Sequence, residues 1–230
     1  MVEFKTITHV IYDLDGLLLD TESINEQVNQ QIVQRYGRVF DKNIKMKIAG
    51  RNAQQSAQII TDFLKIPLTI SEYIAERKKI IYQLYPQAQP LPGALELTKH
   101  LHQNHIPQAI ASSSSQVPFQ LKTTNYQEWF RIFHCIVLGD DPAVKNSKPA
   151  PDIFLTAAER LGALPHQCLV FEDSLAGMEA ALSAHMSVIV IPDADVDKSL
   201  YFQAHQILNS LLDFQPQLWG LPSQTKESEN

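Results

Sequence analysis

Short apolar runs recur along this chain and alternate with helix-period patterns, and that alternation constrains the fold more than any single motif. The runs occupy residues 10–12, 106–110, 135–138, 168–171 and 188–191, each bounded by turn-forming residues. Between the later runs, apolar side chains return at helical spacing: Leu95, Leu97 and Leu101, then Ile153, Phe154, Ala157, Ala158 and Leu161, then Met178, Ala181 and Leu182. Strands covered by helices on both faces lose the polar-apolar alternation of half-exposed strands and read as continuous apolar runs. The pattern predicts an α/β protein with a Rossmann-like parallel sheet core.

One interval breaks the rhythm. About a hundred residues separate Asp13 from Ser112, whereas a strand, crossover helix and strand need only ~30. The excess reads as helix: Ile24, Val28, Ile32 and Tyr36 form one stripe, Ile59, Ile60, Phe63 and Leu64 a second, and Ile74, Arg77, Ile81 and Leu84 a third. An inserted α-helical cap domain is therefore expected over residues 17–87, with the core formed by 1–16 and 88–230. Gly37, Pro67 and the proline-rich stretch 86–92 supply its breaks and return linker, and two chain crossings predict a hinge.

Composition narrows the partners. A formal net charge of -6 opposes binding to long polyanions, which draws on clustered Lys and Arg, so nucleic acid is not an expected partner. A small-molecule phosphate ester is compatible, since a few local cations and a metal can meet its charge. Cys135 and Cys168 fall in apolar runs and read as buried thiols rather than a disulfide framework. The first four residues carry no signal-length apolar core and no stretch is long enough to span a bilayer, so neither a membrane nor an obligate protein partner is expected, and the cytoplasm is the expected location. The polar tail 223–230 is expected to be disordered.

Chemistry concentrates at the strand ends. Asp13 and Asp15 follow the first run, Ser112 and Ser113 the second, Lys148 lies in the loop after the third, and Glu172 and Asp173 end the fourth. In open α/β sheets the carboxyl ends of strands form one accessible rim. Two acidic clusters there offer oxygen ligands for Mg2+, which takes one or two carboxylates and keeps waters and phosphate oxygens. Taken singly, each feature is ordinary: an Asp-Gly turn, a serine helix cap, a loop with Asp152 capping the next helix, and another cap at Ser174. Their joint occurrence at four strand ends of one sheet favours a site.

These residues also resemble a known family. Asp13-Leu-Asp-Gly-Leu-Leu-Leu-Asp-Thr-Glu22, Ile110-Ala-Ser-Ser113, Lys148-Pro-Ala-Pro-Asp152 and Val170-Phe-Glu-Asp-Ser174 resemble, in order, the four motifs of the haloacid dehalogenase superfamily. The helical insertion after the first motif is similar to the cap of its phosphatase and β-phosphoglucomutase-like members. Stretches 136–155 and 211–222 resemble the branch containing pseudouridine-5'-phosphatase and the plant-type glycerol-phosphate phosphatases. The resemblance implies a Mg2+-dependent phosphomonoesterase, with pseudouridine 5'-phosphate as first expected substrate and glycerol phosphate next. It implies that Asp13 is the nucleophile that becomes an aspartyl-phosphate, and that Asp15 acts as general acid and then base. It implies that Ser112, the Ser113 backbone N–H and Lys148 hold phosphate. The implied metal set is the Asp13 carboxylate, the Asp15 carbonyl and Asp173, with Glu172 beside or on the ion. Two departures are visible: Ser147 stands where relatives often have Gly before the motif lysine, and His185 stands where a glycine commonly ends the helix.

Substrate choice is expected in the cap, where Gly50 and Arg51 are the first candidates, Glu22 is another and Lys122 a weaker one. His100, His102 and His105 read as a solvated helix face, and Trp129 and Trp219 as core. No phosphate-binding Gly-rich loop or dinucleotide fingerprint occurs, so neither ATP nor a nicotinamide cofactor is indicated. Three alternatives share parts of the pattern. A phosphomutase would use the same site, a receiver-like switch also joins an acidic cluster to Ser and Lys, and a dehalogenase would have no need of Asp15.

Overall fold

The computed structural model describes residues 7–48 and 53–224. Gly50 and Arg51, the extreme N-terminus and most of the polar tail lie outside the described residues. Six strands form one sheet in the order β5-β4-β1-β6-β7-β8: Cys135–Leu138, Gln108–Ser112, His9–Tyr12, Cys168–Glu172, Ser187–Val190 and Gln206–Ile207. Every pairing in it is parallel. The five expected strands are present, and the two-residue β8 is too short to leave an apolar signature in the sequence.

Both faces of the sheet are covered, as the unbroken apolar runs require. Val10, Tyr12, Ile110, Leu169 and Phe171 point into one core cluster. Their neighbours Ile11, Ala109, Ala111, Val170 and Val188 point into another. Helix α5 (Ala94–Gln103) precedes β4, α6 (Gln116–Thr123) and α7 (Gln127–Phe130) connect β4 to β5, and α8 (Asp152–Leu161) and α9 (Leu175–Ser183) complete the crossovers flanking β6. In α5, half-buried His100 places Nε2 2.9 Å from the Pro222 carbonyl, and His102 is exposed. Trp129 and Trp219 are buried, and both cysteines are free thiols.

The insertion holds four helices, α1 (Glu22–Gln34), α2 (Lys42–Ile48), α3 (Ala53–Leu64) and α4 (Ile70–Leu84). Three lie where stripes were expected; α2, with one buried residue in seven, has no stripe to reveal it. In α3, Ala57, Ile60 and Thr61 are buried while Phe63 is exposed, so its inward face is turned from the expected one. α4 opens with a reciprocal cap between Thr69 and Glu72, which satisfies two otherwise orphaned N–H groups. At the base of the insertion the outgoing and returning segments pair with each other. β2 (Leu19–Asp20) runs antiparallel to β3 (Gln89–Pro90), with Leu19 opposite Pro90 and Asp20 opposite Gln89.

His185 has φ 59°, a left-handed conformation that costs a non-glycine residue about 1–2 kcal/mol. Among the described residues no helix is long and apolar enough to cross a membrane.

Candidate active site

Parallel pairing in register brings four strand ends side by side. Tyr12 pairs with Ile110 on one side and Phe171 on the other, and Ser112 pairs with Leu138. The residues that follow therefore emerge together on one rim, where the Asp13 N–H still donates to the Phe171 carbonyl at 3.0 Å. A rigid sheet thus fixes the backbone under each reactive group.

Lys148 joins three of these ends. Its ammonium donates to Asp13 Oδ1 at 2.5 Å, Glu172 Oε1 at 2.6 Å and the Ala111 carbonyl at 3.0 Å, so its three N–H bonds are satisfied. Its side chain is 6% exposed. Burial alone would lower the Lys148 pKa, but Asp13 and Glu172 outweigh it and hold the group firmly protonated. The loop before it is organised by Asp152, whose carboxylate accepts from the Lys145 and Asn146 N–H groups at 3.1 and 2.9 Å. Ser147 sits in that loop without displacing the lysine.

Glu172 is fully buried, and its second oxygen accepts from the N–H of Asp173, the N–H of Ser174 and the Ser174 hydroxyl, at 3.1, 3.1 and 3.0 Å. Both its oxygens are engaged by protein donors, so it anchors Lys148 and faces inward. Gly177 allows this closeness, because a Cβ there would fall on the Glu172 carboxylate. Ser174 also caps α9, accepting from the Gly177 N–H, so the ordinary reading of that motif holds as well.

Asp13 and Asp173 carry the electrostatic tension. Burial, then Glu172 and Asp15, push the Asp13 carboxyl up to about 7 against the pull of Lys148. Asp173 is also raised well above the usual carboxylate range, by burial first and then by Glu172 and Asp13. Asp13 and Glu172 share one ammonium, with half-buried Asp173 next to them, and that crowding of acids is what a divalent cation would relieve. No three His, Cys or acidic side chains converge into a closed metal cage among the described residues. A Mg2+ site does not need one: two carboxylates and the Asp15 carbonyl, completed by water and phosphate, suit its open octahedral preference. Gly16, at φ 77°, makes the turn, and a Cβ there would meet Asp173.

Asp15 lies in a different environment. Its N–H donates to Asp13 Oδ2 at 2.8 Å, and its carboxylate accepts from Ser112 and Ser114 hydroxyls at 3.2 and 2.9 Å. It also pairs with the Lys122 ammonium. Burial favours its protonation, but Lys122 and the bonds from Lys122 and Ser114 prevail and hold it below the usual range. Ser112 is buried at the rim, whereas Ser113 is exposed, and it is Ser114 whose hydroxyl turns inward. Ser114 and Lys122 are the polar groups that sequence reasoning undervalued. A lysine at the buried end of α6, one turn from Phe119, was the available signal.

Glu22 begins α1 and accepts from Asn25 Nδ2 at 3.0 Å; its pKa is raised, chiefly by burial. With Gly16, Asp173 and Asp193 it borders a cavity of about 280 Å3. A larger open hollow of about 610 Å3, between Lys47, Phe63 and Lys65 on the insertion, shares no residue with the rim.

The chain is similar to known proteins along most of its length. The chain is 45% identical over 223 residues to the (DL)-glycerol-3-phosphatase 1, mitochondrial, of Arabidopsis thaliana, covering 95% of this chain and 75% of that one. It is 39% identical over 224 residues to a probable pseudouridine-5'-phosphatase of Drosophila melanogaster, covering 96% and 97%. The crystal structure of a putative beta-phosphoglucomutase from Thermotoga maritima superposes with a TM-score of 0.74 at 26% identity, covering 88% of this chain and 94% of that one. The model of the haloacid dehalogenase-like hydrolases matches residues 10–191, a span that takes in the rim from Asp13 to Asp173. With its four strand-end motifs gathered on that rim, the chain belongs to the haloacid dehalogenase-like hydrolase family.

Proposed function

We propose that the protein hydrolyses phosphomonoesters of small polar alcohols, a phosphorylated nucleoside, sugar or polyol, through a covalent phosphate on Asp13. The observation that carries this reading is the Lys148 ammonium bridging Asp13 and Glu172, with the half-buried acid Asp173 next to them. That arrangement presents one carboxylate oxygen as a nucleophile and fixed positive charge where phosphoryl oxygens gather.

In the first half of the reaction an Asp13 oxygen bonds to phosphorus as the bond to the ester oxygen breaks, and Asp15, which must first take up a proton from solvent against the pull of Lys122, delivers that proton to the departing oxygen. In the second half Asp15 takes a proton from a water whose oxygen bonds to phosphorus, and the bond to Asp13 breaks. Lys148 and the Ser112 hydroxyl orient the non-bridging oxygens throughout. Mg2+ held by Asp13, Asp173 and the Asp15 carbonyl would neutralise charge on the phosphoryl group and on the surplus carboxylates. Closure of the insertion over the rim would exclude bulk water.

The test is a panel of phosphomonoesters with Mg2+, ranked by kcat/KM: glycerol 3-phosphate, pseudouridine 5'-phosphate, sugar phosphates and p-nitrophenyl phosphate. Release of inorganic phosphate that stops on chelation supports the reading. Isomerised sugar phosphate without free phosphate would replace it with a mutase, and no turnover of any ester would reject it.

A further inference from the structure

Lys122 belongs to none of the four strand-end motifs, yet it is 2% exposed. Its ammonium pairs with Asp15, lies 2.6 Å from the Ser114 hydroxyl and sits 4.6 Å from the centroid of the Tyr85 ring. Ser114 passes the contact on, donating to the other Asp15 oxygen at 2.9 Å. The two Asp15 oxygens are thus gripped from the β4–α6 side by Lys122, Ser114 and Ser112, while only the Asp15 backbone reaches Asp13. Tyr85 follows α4 directly, at the point where the chain leaves the insertion. Packing alone does not account for a desolvated ammonium here, since an apolar side chain of the same length would fill the space without losing hydration.

We propose that Lys122 is a positioning residue for the reaction: with Ser114 it fixes the orientation in which Asp15 meets the leaving-group oxygen, and its place under Tyr85 ties that orientation to the returning arm of the insertion. The inference rests on the phosphatase reading above and on Asp15 as proton donor. Lys122 itself transfers no proton and forms no bond to the substrate; it keeps all its N–H groups while Asp15 loses and regains one proton.

Leaving-group dependence tests it. An alkyl ester needs a proton on its departing oxygen, whereas p-nitrophenolate departs without one, and kcat/KM reports only the steps up to formation of the phospho-enzyme. K122M should lower kcat/KM for the fastest alkyl ester of the panel by about a hundredfold and that for p-nitrophenyl phosphate by less than about fivefold. K122R should restore most of the ratio. An inactive fraction lowers both rates alike, so the ratio survives partial misfolding. If K122M does not fold at all, S114A should change the ratio in the same direction by about tenfold. Equal losses on both esters, no loss, or a gain on the alkyl ester would each overturn the inference. Wild-type protein that cleaves neither ester would instead remove the phosphatase reading itself.

Discussion

Lysines join segments distant in sequence both at the rim and on the insertion, and Lys148 and Lys42 do so in opposite physical regimes. At the rim, Lys148 is shut away from water between Asp13 and Glu172. On the insertion, Lys42 and Lys45 reach across to Asp195 and Asp193 in the loop after β7, at 2.6 and 3.2 Å; the Lys42 side chain is 67% exposed, whereas Lys45 is partly buried. Separating a buried pair strands a charge in a medium that cannot solvate it; separating an exposed pair merely returns both ions to water. The rim pair therefore resists separation, whereas the Lys42–Asp195 pair is cheap to open. An enzyme that must admit substrate and release product needs that division.

The largest effect expected is on turnover. D13N should lower kcat by roughly 10^4-fold or more while leaving the fold intact. A carboxyl raised on folding contributes stability that is lost as pH rises through its folded value, here about 7. Metal-free D13N should accordingly melt above the metal-free wild type at pH 8, with the gap closing as pH falls below that value. A lower melting point at pH 8 would mean that Asp13 gains more from Lys148 than it loses by burial.

K148M comes next, because it leaves Asp13 and Glu172 facing each other uncompensated. Loss of about 3–5 kcal/mol is expected, a drop of roughly 10 °C in Tm, together with loss of turnover. In G177A the new methyl group must displace Glu172; about 1–3 kcal/mol of destabilisation and a weakened hold on Lys148 should follow, read by calorimetry and kcat together. The smallest effect belongs to the exposed Lys42. K42A should cost under about 1 kcal/mol, and raising NaCl to about 0.5 M should erase its difference from wild type without erasing that of K148M. Salt sensitivity in both variants, or in neither, would collapse the contrast between the two regions.

The same contrast governs what the sequence discloses. Asp13, Ser112, Lys148 and Asp173 sit at fixed offsets from apolar runs whose length and neighbours dictate a parallel sheet, so their convergence follows from the pattern. Helix α2 and the inward face of α3 are set by contacts among helices with little apolar surface, and periodicity misjudged Phe63 for that reason. The pairing of β2 with β3 was hidden because two residues on each side leave no periodic trace. Lys122 was undervalued for another reason. A charged residue on a predicted helix reads as solvent-facing unless its partner is known, and Asp15 is more than a hundred positions away.

The ribbon at the base of the insertion has a consequence for how such proteins diversify. Leu19 faces Pro90, so the chain departs from the sheet and rejoins it through a gap of about 5 Å, the spacing of one strand pair. Any helical module whose two ends meet at that spacing can be spliced into the doorway without disturbing the strands beneath, and selectivity can then be exchanged wholesale while the phosphoryl chemistry is inherited unchanged.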